Sequence, residues 1–92
     1  MVPVHPGKAL RLEMEARGLS ANALALALRV PSGRITDILG CKRAVTPETA
    51  LRLGRYFGTG PELWATMQTA YDLAVAANTI GERINSEVLP AA

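Results

Sequence analysis

Residues 20–43 read SANALALALRVPSGRITDILGCKR. Ser20 is an N-cap candidate, because its hydroxyl accepts an orphan backbone N–H. Ala21, Leu24, Ala25 and Leu28 follow as an apolar stripe at helical spacing. Pro31 sits at the start of a second short helix, about Ser32–Leu39, where its missing N–H costs nothing. Gly40 ends that helix. Two short helices joined by a turn of about three or four residues form a helix-turn-helix pattern. Ala25 is small where the two helices approach closely, and Val30 plugs the corner between them. Ile35, Ile38 and Leu39 anchor the second helix on the core. A step of about 100° per residue then points Gly33 and Asp37 outward, flanked by Ser32, Arg34 and Thr36. An exposed face of short polar residues suits a major groove about 12 Å wide. Lys42 and Arg43 lie just past the helix end, placed for phosphate.

The same punctuation recurs on both sides of this stretch. Pro6-Gly7 precedes a first helix, about Lys8–Arg17, with Leu10 and Met14 on one face. Gly18 follows where a left-handed residue closes a helix. Thr46-Pro47 supplies the N-cap and first-turn pair of a fourth helix running to about Tyr56, and Gly58 closes it. A fifth helix spans about Pro61–Ala77, with Trp64, Met67, Tyr71 and Ala74 at helical spacing. No stretch alternates over a strand length, so the chain reads as all-α with five helices. One domain covers 1–77 and a tail covers 78–92. Ile80, Ile84 and Val88 leave room in that tail for a short sixth helix, stopped by Pro90. Gly81 weighs against it by ~1 kcal/mol.

Composition narrows the function. The 92 residues are 49% hydrophobic, which argues against disorder, and no apolar run approaches a membrane span. A single cysteine, Cys41, and a single histidine, His5, leave no internal disulfide, cysteine-based zinc site or triad. No cofactor is expected, and the reducing cytoplasm is the expected address. The net charge of +2 hides an asymmetry: residues 1–58 hold nine basic and four acidic side chains, whereas residues 59–92 hold one and four. The first part suits a polyanion, and the acidic remainder suits a protein partner.

Several pieces in order and spacing resemble one family: HPG at 5–7, NALA at 22–25, Arg34-Ile35, TPETALRL at 46–53, YFGT at 56–59, Trp64, and AYDL at 70–73. They are similar to the HigA-type antitoxins of bacterial toxin–antitoxin modules, a branch of the Cro/C1-type (lambda-repressor-like) helix-turn-helix proteins. The resemblance runs from Val4 to Leu73, about three quarters of the chain. It implies a homodimer that binds operator DNA, represses its own operon and neutralises a HigB-type toxin, a small RNase that cuts mRNA on the ribosome. The antitoxin itself is not an enzyme. Two positions depart from the wider pattern. Ala21 stands where a phosphate-binding glutamine is common, so that contact is expected from Asn22, a backbone N–H or elsewhere. Arg29 stands where the turn usually has glycine, and a positive φ there carries ~1 kcal/mol of strain.

The expected DNA-facing set is therefore Ser20, Asn22, Ser32, Gly33, Arg34, Thr36, Asp37, Lys42 and Arg43. Arg34 has three readings: a bidentate guanine contact, a phosphate contact, or an ion pair with Asp37 on a solvated face. Leu63, Trp64, Met67, Tyr71 and Ala74 read as core or as a dimer seam. His5 reads as a packing or hydrogen-bonding group beside Pro6-Gly7. The alternative function is a stand-alone repressor without a toxin, and the adjacent reading frame discriminates the two.

Overall fold

Four of the five helices start where the sequence places them; the first starts at Pro6, two residues before the expected Lys8, because His5 caps it. The computed structural model describes residues 2–91, with helices α1 (Pro6–Ala16), α2 (Ala21–Leu28), α3 (Ser32–Leu39), α4 (Pro47–Phe57) and α5 (Pro61–Glu87). Ser20 Oγ accepts from Ala23 N at 3.1 Å, and Thr46 Oγ1 accepts from Thr49 N at 3.3 Å. The cap of α1 is His5, whose Nδ1 accepts from Gly7 N at 2.9 Å. Gly7 itself answers a close approach. A Cβ there would lie 2.0 Å from the Ile38 carbonyl oxygen, so the start of α1 rests directly on α3.

The first three helices end alike. Gly18, Arg29 and Cys41 have φ of 61°, 61° and 60°. After each, a backbone N–H reaches back: Leu19 to Met14 at 2.9 Å, Val30 to Ala25 at 3.0 Å, and Lys42 to Asp37 at 2.8 Å. This six-residue closure satisfies carbonyls that the helix end leaves orphaned. Glycine supplies the left-handed residue once, and Arg29 and Cys41 bear the strain at the other two sites. At the end of α3 the left-handed residue is Cys41, one past the expected Gly40.

Leu10 and Met14 of α1, Leu24, Ala25 and Leu28 of α2, Ile35 and Ile38 of α3, Ala50 and Leu53 of α4 and Trp64 of α5 form one core with Val45. Val30 and Leu39 pack against its edge. Helices α4 and α5 close on each other at Gly54, where a Cβ would meet Gly60 backbone at 2.3 Å.

The tail departs from expectation. Residues 78–87 continue α5 without a break, so no separate sixth helix forms and no boundary falls at 77. The 27-residue helix is ~40 Å long, and it stretches the molecule to 51 × 22 × 22 Å. Its two halves differ in burial. Trp64 is 1% exposed and its Nε1–H donates to Thr59 Oγ1 at 3.0 Å. Met67 packs on the core, and Tyr71 meets His5 edge-on at 4.8 Å. Trp64 is covered by its own chain and Met67 and Tyr71 are partly so, which makes the tryptophan core, with nothing to offer a dimer seam. Ala74 is half-buried and Leu63 exposed. Three further exposed apolar residues of α5 lie on another face: Leu73, Ile80 and Ile84 are 66%, 44% and 44% exposed. At 3.6 residues per turn they share a face with Thr69 and Ala77, roughly opposite Trp64.

Candidate nucleic-acid interface

Helix α3 is pinned from one side only. Ile35 and Ile38 are fully buried, while Ser32, Gly33 and Thr36 are exposed and Arg34 and Asp37 half-exposed. The Thr36 hydroxyl donates back to the Gly33 carbonyl at 3.1 Å. A Cβ on Gly33 would meet nothing within 4 Å. The chain's own packing therefore does not require glycine there, although a helical glycine costs ~1 kcal/mol relative to alanine.

The charged groups pair across elements. Arg34 bonds Glu48 of α4 at 3.2 Å, and Arg52 bonds the other Glu48 oxygen at 3.2 Å. Arg52 also donates to the Leu28 carbonyl at the end of α2, 2.9 Å away. The ion pair of Arg34 thus runs to Glu48, not to Asp37 three residues along. Asp37 faces Arg43 at 3.5 Å. Hydrogen bonding from Arg52 is the main reason that the Glu48 carboxyl titrates below the usual glutamate range, with the charge of Arg52 and then of Arg34 adding to it. Exposed pairs of this kind contribute little to stability, roughly 0–1 kcal/mol. Their role is to fix where side chains point.

Lys42 and Arg43 are exposed on the segment between α3 and α4. Two buried polar residues hold that segment, and neither was legible from spacing. Gln68 of α5, 7% exposed, accepts from Val45 N at 2.8 Å and donates to Asp72 at 2.9 Å. The backbone of Arg43 next to His5 favours its charged form, yet burial dominates and lowers its pKa below the ordinary 6.5. One side of the basic segment is thus tied to α5 and to the cap of α1. Ser20 and Asn22 are exposed at the start of α2, and Arg29 is exposed in the turn. Among the described residues no three His, Cys, Asp or Glu side chains gather as a metal site, and no helix is long and apolar enough to cross a membrane.

Comparisons with known proteins bear on this surface. A helix-turn-helix domain model matches residues 7–67. Virulence-associated protein I of Dichelobacter nodosus is 52% identical over 77 residues, covering 83% of this chain and 71% of that protein. An addiction module antidote protein of a HigA family from Coxiella burnetii superposes with a TM-score of 0.95 at 44% identity, over 99% of this chain and 100% of that one. The Pseudomonas aeruginosa antitoxin HigA, solved with the higBA promoter, superposes with a TM-score of 0.96 at 38% identity, over 99% and 100% of the two chains.

Proposed function

This chain belongs to the helix-turn-helix family, in its HigA-type antitoxin branch, and from that premise we propose that it binds operator DNA as a homodimer, represses its own operon and neutralises a HigB-type toxin by direct binding. The observation that carries the DNA half is α3, anchored by Ile35 and Ile38 and free along Ser32, Gly33, Arg34 and Thr36. In this reading α3 enters the major groove. Arg34 reads a base edge, Gly33 lets the helix backbone approach closely, and Lys42, Arg43, Ser20 and Asn22 meet phosphates. Asp37, paired with Arg43, aims that guanidinium.

The dimer seam is the outer face of α5, with Leu73, Ala77, Ile80 and Ile84. An unaccompanied helical overhang of this length is marginal in water, and an apolar stripe along it favours a second copy. Two-fold pairing sets two recognition helices about 34–36 Å apart, one duplex turn. The toxin takes a surface outside Ser32–Arg43, on α1 or on the acidic last third, so one dimer holds DNA and toxin together.

The test is a variant with Arg34, Lys42 and Arg43 all changed to alanine. It should lose operator binding, keep its toxin complex in size-exclusion chromatography and still rescue growth. Loss of toxin binding by a variant still folded in circular dichroism would mean that the toxin competes for the DNA face.

A further inference from the structure

Glu48 has no obvious place on a DNA-binding surface. Its carboxylate is exposed beside the recognition helix, where it would repel phosphate. Yet it is the most heavily tied carboxylate among the described residues: one oxygen accepts from Arg34 and the other from Arg52, each at 3.2 Å. Arg52 is in turn anchored on the Leu28 carbonyl at 2.9 Å. Glu48 also lies in the first turn of α4, where the helix dipole favours a negative charge. The chain of contacts therefore runs from the fixed end of α2, through Arg52 and Glu48, to the guanidinium of Arg34. Arg34 has five N–H donors in a rigid plane, and Glu48 engages one nitrogen. The remaining edge is free for a bidentate contact, and its direction is set by α4 instead of by a floppy side chain.

We propose that Glu48 is a positioning residue for sequence recognition, orienting Arg34 towards a base edge, with Arg52 as its anchor. The proposal rests on the DNA-binding reading above. It makes a prediction opposite to simple electrostatics. Removing an anionic side chain next to DNA should strengthen binding to every sequence. Removing a positioning group should instead weaken the preferred sequence relative to random DNA.

The probes are a duplex enriched by the wild-type chain from a random pool, and bulk random duplex of the same length, read by fluorescence anisotropy. Glu48→Ala should lower the ratio of preferred to random affinity by roughly five- to tenfold, part of what one good base contact supplies. Arg34→Ala should lower the same ratio at least as much. In the Arg34→Ala background, adding Glu48→Ala should leave the ratio unchanged, because nothing remains to position. Glu48→Gln keeps an acceptor for Arg34 and should restore part of the ratio. Circular dichroism melting should show Glu48→Ala folded at the assay temperature with at most a slightly lowered Tm, since the exposed side chain gives up only surface ion pairs.

The proposal is overturned if Glu48→Ala tightens both duplexes alike, or if its effect on the ratio persists without Arg34. Either result, with Arg34→Ala still impairing recognition, leaves the DNA-binding reading standing. If the wild-type chain enriches no sequence, that reading falls and this one with it.

Discussion

Changing Ile80 and Ile84 to aspartate tests the outer face of α5. Both side chains are 44% exposed, and Leu73 beside them is 66% exposed. Complete burial of an Ile or Leu contributes ~1.5–3 kcal/mol, so finishing the burial of each gives about 1 kcal/mol. Two-fold symmetry counts every residue twice. The double variant therefore removes about 4 kcal/mol across both copies and leaves four carboxylates facing apolar surface, which weakens association by a factor on the order of a thousand or more. Neither residue belongs to the core, so the domain up to Tyr71 should stay folded. The overhang past Ala74, now alone, is short for a stable helix in water and should fray. Sedimentation velocity at micromolar concentration should find a dimer for wild type and a monomer for the variant. On DNA the variant should bind a single half-site as wild type does, and lose the gain from a second half-site. A variant that stays dimeric would place the seam elsewhere and refute the reasoning.

Other residues give independent tests. Gln68→Ala strands the Val45 N–H and should cost ~1–3 kcal/mol in chemical denaturation, while loosening the segment that carries Lys42 and Arg43. Arg29→Gly releases a left-handed residue and should raise stability by up to ~1 kcal/mol; unchanged or lower stability would mean that the guanidinium compensates. His5 should make stability pH-dependent. Its folded pKa is lowered, so the unfolded chain binds more protons just below pH 6.5. Stability should be full above that value and fall as pH drops through it towards the folded pKa. A Tm series from pH 7.5 to 5 checks this, and the His5→Asn variant, which keeps an N-cap, should flatten the slope.

Local chemistry was legible and distant pairing was not. Ser20, Thr46 and Gly18 sit where capping rules place them, because a cap depends on residues within one turn. The anchoring isoleucines at 35 and 38 follow from periodicity alone. The partner of Arg34 does not: Asp37 is near in sequence, whereas Glu48 becomes a neighbour only once α4 packs beside α3. Gln68 and His5 likewise act on Val45 and Arg43 through the folded arrangement. The sequence ends the fifth helix at Ala77, whereas α5 runs on to Glu87, because the Gly81 penalty of about 1 kcal/mol does not break a stripe running from Leu73 to Ile84. Trp64 shows the limit of periodicity, which marks a buried face without saying whether its cover is intra- or intermolecular.

Operator affinity against salt concentration shows whether α3 and the segment after it grip operator DNA. Log K should fall linearly with log salt, by about 0.9 for each phosphate neutralised. Changing Lys42 and Arg43 to alanine removes two phosphate contacts per protomer and four per dimer, so the slope should flatten by about 3–4. All sequences should weaken together. A wild-type chain whose operator binding shows the same slope as this double variant would contradict the account.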